Sequence, residues 1–441
     1  MNRNLWLLAI CQGLFLTNNV TFIAINGLVG LSLAPLGWMA TLPIMAYVVG
    51  GALSTALVAR TQSRFGRKIS FQLGLAVACA SAWLCAYAAY GKNFWLLVAA
   101  TVVAGYYNAN AQLYRFAAAE LAAPAFREKA VSLVMAGGLI GAVAGPNLAA
   151  HTRSLTDVPF AGAYLALSAV ALLSMGLLAF IHFPPAESGG GHGRRAGPPQ
   201  ARPALSGLTP AAPSLPAQAW SGGRAAASRS GTSSEVHEVT SVGAHESRPL
   251  AEIMRQPVFL VAAAAGALGF GVMNLLMAAT PIAMQVCGLS FSDTALVLEW
   301  HVIGMFAPGF FTGHLIKKWG ALTIMAVGLA LNVLCVLIAL SGVDLHQFLL
   351  ALFLLGLGWN FLFTGSTTLA LTAYRPEEKD RAQGALNFCV FAVLALSSLA
   401  SGVLVTTQGW ALLNLGALLP LGLTALALGW FAMGQRRPQN V

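Results

Sequence analysis

"LVARTQSRFGRK", residues 57–68, places Arg60, Arg64, Arg67 and Lys68 within nine positions, between two long apolar segments. Only 9% of the 441 residues are charged, 57% are hydrophobic, and the mean hydropathy is +0.73. A soluble domain has about a quarter of its residues charged, so this chain cannot cover a water-facing surface. Its repeated apolar runs of about 20 residues read as membrane-spanning helices. The runs are continuous and rich in Leu, Ala and Gly rather than alternating, which excludes a membrane β-barrel. The cationic stretch is then a short connection between two spans, and its charge reports which side of the membrane it lies on.

Working outward from it, twelve apolar segments fall near 5–30, 36–59, 69–90, 93–118, 130–151 and 158–183, then 257–284, 291–316, 320–341, 346–373, 381–405 and 409–434. The fold class is an all-α integral membrane protein of twelve helices in two six-helix bundles, residues 1–184 and 251–441. Residues 185–250 are dominated by Gly, Pro, Ala and Ser, cannot bury a core, and read as a disordered linker. The first apolar run has a polar Asn18-Asn19 centre and no small-residue cleavage site, so it is expected to be retained as a helix. Twelve crossings put both termini, the linker and the connection at 57–68 on one side. That side holds 22 of the 24 Lys and Arg, and the other holds only Lys92 and Arg153. The positive-inside rule assigns the 22 and both termini to the cytoplasm, in the inner membrane of a cell. The net charge of +10 then reflects orientation and contact with anionic membrane lipid, not nucleic-acid binding. The six cysteines form no CxxC pair or metal spacing and read as small core residues.

The two halves repeat. "ARTQSRFGRK" follows the second segment and "GHLIKKWGAL" the eighth, with Gly66 and Gly320 separated by 254 positions. At nearly the same offset "AGYYNA" meets "LGWNFL", and Asn19 meets Asn274. This layout resembles the major facilitator superfamily, whose signature after the second helix is Gly-x-x-x-Asp-Arg-x-Gly-Arg-Lys. Arg64, Gly66, Arg67 and Lys68 match it, while Ala59 and Ser63 stand at the first glycine and the aspartate. Ser63 is left with only a hydroxyl to offer as a cap. In the fifth segment, "GLIGAVAGPNLAA" carries Gly141, Gly145 and Pro146, similar to the Gly-x-x-x-Gly-Pro motif of the family's drug/proton antiporters. The resemblance implies two rocking bundles, with these positions serving the gate.

Candidate transport residues come from polar groups inside apolar helices. Glu299 is the one acid well inside a span, about 8 residues or roughly 12 Å from its outer end. An ionised carboxylate there costs about 2.5–3.5 kcal/mol, and protonation removes most of that cost, which is the chemistry of a proton carrier. Pairing with His301 is the structural alternative, and His301 is itself a second proton-site candidate. Tyr107, Asn110 and Tyr114 follow i, i+3, i+7, and Asn360 and Thr364 follow i, i+4. The family lines its cavity with helices 1, 4, 7 and 10, which makes these residues, with Asn18, Asn19 and Asn274, the substrate candidates. Trp300 and Trp359 are added as rings that could stack on a flat ligand. Interhelical hydrogen bonds and packing are the alternatives. Arg115 is a gate candidate against the acids Glu377, Glu378 and Asp380, or a snorkelling side chain.

No Walker A loop and no nucleophile–base arrangement occurs, so an ATP-driven pump and an enzyme are both disfavoured. The expected function is a secondary transporter, acting as a monomer without cofactor or metal. It would move a small organic solute by alternating access, coupled to protons, either exporting a drug-like compound or metabolite or importing a nutrient, vitamin or siderophore. A channel or a transporter-shaped receptor is the alternative.

Overall fold

A computed structural model describes residues 3–123, 126–183, 248–375 and 378–436. The segment read as the linker lies almost wholly outside them. The first half contains α1 (Arg3–Leu33), α2 (Leu42–Tyr90), α3 (Phe94–Ala111), α4 (Tyr114–Leu121), α5 (Arg127–Thr152) and α6 (Ala161–Ala179). The second contains the short α7 (Leu250–Arg255), then α8 (Pro257–Val286), α9 (Phe291–Phe306), α10 (Gly309–Trp319), α11 (Ala321–Ser341), α12 (Leu345–Ala370), α13 (Lys379–Thr407) and α14 (Gly409–Arg436).

Nine helical stretches among the described residues are long and apolar enough to cross a membrane, and the pair α9–α10, bent by 43° at Ala307-Pro308, makes a tenth. One of the nine, Gly37–Tyr90, has 54 residues. At helical rise it would extend about 80 Å, far beyond the ~30 Å of a bilayer core. It turns back at Gly66, whose φ of 78° and ψ of 172° are not helical. Gly50 before the turn and Gly74 after it both lie against α3, and Thr61 Oγ1 bonds Ser70 Oγ at 3.1 Å across the turn. The two arms of α2 are therefore two spans. With α3 and its continuation α4 as one further span, the described residues make twelve passes.

The cationic stretch 57–68 is thus not the irregular loop that its composition suggests. It is helical on both sides of the single residue Gly66. Ser63 does not cap the following arm, because its hydroxyl donates back to the Arg60 carbonyl at 3.0 Å. Gly320 ends α10 with φ 82° and ψ 155°. The two repeated glycines therefore adopt the same backbone, one that a side chain strongly disfavours, and the repeat is conformational as well as sequential. The start of α9 is closed by a reciprocal capping box. Ser290 Oγ accepts from Asp293 N at 3.1 Å, and Asp293 Oδ2 accepts from Ser290 N at 3.0 Å.

The apolar core is continuous across both halves at the end away from the cationic stretch. One cluster joins Phe22, Ile25 and Leu28 of α1, Leu97 of α3 and Tyr164 of α6 to Leu276 and Ile282 of α8, Leu298 of α9, Leu352 of α12 and Leu413 of α14. At the basic end the core divides. Leu8, Phe15, Phe71 and Tyr114 form a first-half cluster, reached among the described residues of the second half by Phe306. Val261, Met325 and Phe431, and separately Ile253, Phe259 and Ala373, form second-half clusters. The apolar core thus joins the two halves at the charge-poor end and forms separate clusters at the basic end.

Candidate functional site

Four rings gather near mid-depth. Trp359 of α12 stacks on Phe363 one turn on, with centroids 5.3 Å apart and planes 9° apart. Phe270 of α8 meets Trp359 edge-on at 5.0 Å and 85°, and Phe306 of α9 lies at 6.4 Å and 64°. Trp359 itself is 7% exposed, while Phe270, Phe306 and Phe363 stay partly uncovered. The sequence pointed to Trp359 but not to the three phenylalanines, because Phe is abundant throughout these helices and nothing local distinguishes a wall from packing. Trp300 takes no part in this group. It is 44% exposed and flanked by Phe353.

Glu299 reaches across the two halves. Its Oε2 accepts from Asn147 Nδ2 at 2.8 Å, and the same amide also donates to the Val143 carbonyl at 2.8 Å. Asn147 directly follows Pro146 on α5. The sequence reading stopped at the Gly-Pro core and missed it, although an amide beside that motif is a visible signal. Glu299 does not pair with His301. His301 is fully buried and faces α12, where Nδ1 donates to the Leu352 carbonyl at 2.7 Å while Nε2 has no partner. The same end carries a second tie between halves, Thr41 Oγ1 to the Ser398 carbonyl at 2.6 Å. Arg153 lies over the Phe291 ring at 5.5 Å.

Most of the polar candidates are engaged in interhelical bonds. Asn18 Nδ2 donates to the Leu167 carbonyl at 3.5 Å, and Asn19 Oδ1 accepts from the Tyr47 hydroxyl at 2.9 Å. Asn110 Nδ2 donates to the Ser70 carbonyl at 2.7 Å, which turns it toward the second arm of α2. Tyr107 and Tyr114 are buried in the first-half cluster with Phe15, edge-on at 5.5 and 6.5 Å. Asn274 Nδ2 donates to Ser397 and Ser398 hydroxyls at 2.9 and 2.8 Å. Asn360 accepts from Thr312 Oγ1 and donates to the Met305 carbonyl, both at 2.7 Å. Thr364 is half-buried, one turn from Asn360.

The gating candidates divide by role. Gly141 lets α5 meet α1 closely, since a Cβ there would meet Thr17 N at 2.6 Å. At Gly145 the carbonyl accepts from Thr21 Oγ1 at 2.7 Å, and α5 runs unbroken through Pro146. At the basic end Arg67 pairs with Glu120 of α4 and donates to Gln62 Oε1 at 2.6 Å. Lys68 Nζ donates to the Ala179 carbonyl at 2.7 Å, and Arg64 lies over its neighbour Phe65. Arg115 is exposed beside Phe116, 5.0 Å from the ring. Glu378, offered above as its gate partner, is instead held by Arg248 at 2.7 Å. Glu377 and the Asp380 side chain lie outside the described residues. Among the described residues no group of three His, Cys, Asp or Glu could hold a metal ion.

The family profile described as Major Facilitator Superfamily matches residues 5–397 and 262–441. The chain is 33% identical over 413 residues to the riboflavin transporter RfnT of Brucella anthropi, covering 93% of this chain and 91% of that protein. It is 24% identical over 405 residues to YddS of Bacillus subtilis, described as an uncharacterized MFS-type transporter, covering 90% and 84%. In fold it is similar to a crystal structure of the nucleoside transporter NupG, with a TM-score of 0.65 at 10% identity, covering 99% of this chain and 100% of that one. It is also similar to a bacterial homolog of the human lysosomal transporter Spinster, with a TM-score of 0.68 at 13% identity, covering 98% and 96%. Twelve passes in two halves, a repeated glycine turn and a family match over nearly the whole chain agree: the protein belongs to the Major Facilitator Superfamily.

Proposed function

We propose that this protein takes riboflavin, or a flavin close to it, into the cell across the cytoplasmic membrane, coupled to protons. The observation that carries this reading is the 33% identity over 93% of the chain to a riboflavin transporter. The mid-depth rings support it in chemistry. An isoalloxazine is flat and uncharged, and it gains from aromatic walls more than a sugar or an inorganic ion would. With the basic end cytoplasmic, the shared core lies at the outer end and the separate clusters at the inner end, which supports an inward-facing reading. Residues 1–184 and 251–441 act as the two moving bundles of a monomer, joined through 185–250. Glu299 sits where the outer closure is made, and it carries the coupling proton.

The test is growth of a riboflavin auxotroph that lacks its own importer. Expression of this chain should restore growth at low external riboflavin, with uptake of labelled riboflavin abolished by a protonophore. Expression in the membrane without uptake would overturn the reading. Faster loss of preloaded riboflavin would reverse its direction.

A further inference from the structure

Two tryptophans of the second half are buried to the same degree, Trp359 at 7% and Trp410 at 9% exposed, yet they differ in one respect. Trp410 Nε1 donates to the Ala339 carbonyl at 3.1 Å. Trp359 Nε1 is buried without a partner. An N–H hidden from water and unbonded is costly, and such groups call for an explanation. The neighbouring Asn360 does not supply one: its oxygen accepts from Thr312 and its amide donates to the Met305 carbonyl.

The surroundings indicate what is missing. Trp359 is framed by Phe363, Phe270 and Phe306, and all three phenylalanines keep open surface. The group also lies on the seam between the bundles. Phe270 and Phe363 pack against a cluster that includes Val48 of α2, and Phe306 packs against the first-half cluster of Leu8, Phe15 and Tyr114. This is the depth at which the closed outer core gives way to the divided inner one. A ligand seated here touches both bundles.

The geometry points to a site for a planar heteroaromatic ring at this seam, in which the phenylalanines hold the ring and Trp359 Nε1–H donates to an acceptor on its edge. This deepens the riboflavin reading and rests on it. The ring edge of a flavin carries carbonyl oxygens and imine nitrogens, which suit a lone N–H donor. Its ribityl chain would be left to the half-buried polar side chains.

The experiment is a fluorescence titration of the purified full-length protein with riboflavin, lumichrome (the ring without its chain) and ribitol (the chain without its ring). Wild type should quench riboflavin fluorescence on binding, lumichrome should compete within a few-fold of riboflavin, and ribitol should not compete. Trp359→Phe keeps a ring and removes the donor, and it should weaken riboflavin and lumichrome alike by about tenfold. Phe363→Leu should weaken both and reduce the quenching, which keeps the proposal testable if Trp359→Phe folds poorly. Trp410→Phe should lower the melting temperature and leave flavin affinity unchanged. Wild-type affinity in a folded Trp359→Phe protein would overturn the donor role while leaving riboflavin transport standing. Competition by ribitol but not lumichrome would overturn ring recognition. A folded wild type that binds no riboflavin would overturn both this site and the reading it rests on.

Discussion

Asn147 Nδ2 donates to Glu299 Oε2 at 2.8 Å, so the one acid well inside a span is bonded to the other half of the molecule. The bond joins α5, just past Pro146, to α9, at the end where the core is continuous. A hydrogen bond and the packing of the two bundles therefore meet at a single carboxyl. Glu299→Gln preserves an acceptor for Asn147 but cannot release a proton. The variant should insert, bind solute and exchange it across the membrane, and it should lose accumulation driven by a pH gradient. Counterflow and gradient-driven uptake on the same reconstituted protein decide it. Normal accumulation would remove Glu299 from the coupling step.

The two ends of the molecule offer a paired test of sidedness. Cys287 is exposed at the charge-poor end, and Ser63 is exposed beside the Gly66 turn. In intact cells an impermeant maleimide should label Cys287. In a Cys287→Ser background, a Ser63→Cys protein should stay unlabelled until the membrane is permeabilised. The opposite pattern would invert the orientation.

Glu378 ties the start of the second half to the connection between α12 and α13. Its carboxylate accepts from Arg248 Nε at 2.9 Å and from the Arg375 N–H at 2.9 Å, with a third bond from the Arg248 N–H at 3.0 Å. These bonds, led by the Arg248 guanidinium, hold its pKa down to about 2. A carboxyl lowered on folding adds stability that is fully present above its ordinary value near 4.3 and is lost as pH falls toward the folded value. Wild type should therefore lose melting temperature between about pH 5 and 3 more steeply than Glu378→Gln. Parallel curves would show that the clasp contributes nothing.

Gly66 and Gly320 share a positive φ of 78° and 82°, and a Cβ at either would meet nothing within 4 Å. Space is not the constraint there; backbone conformation is. Gly66→Ala and Gly320→Ala should each destabilise by about 1–3 kcal/mol, with similar drops in melting temperature measured on the purified protein. A neutral result at either position would mean that the turn can relax without cost.

The passes and the two-fold repeat were legible along the chain, because a bilayer imposes length and hydropathy locally on each segment. Those constraints are written into each segment, and the structure follows them to within a few residues. It refines the breaks at Gly66, Gln112-Leu113 and Ala307-Pro308. Which face of each helix meets which neighbour was not legible there and came from packing. A soluble helix advertises its buried face by a polar stripe on the other side, whereas here lipid and protein core are equally apolar. Periodicity could thus group Tyr107, Asn110 and Tyr114 on one face, but not reveal that Asn110 turns to Ser70 and the tyrosines to Phe15. Nor could spacing along α9 show that Glu299 looks to Asn147, 152 positions earlier, while His301 looks to Leu352. Those partners exist only once the bundles have packed.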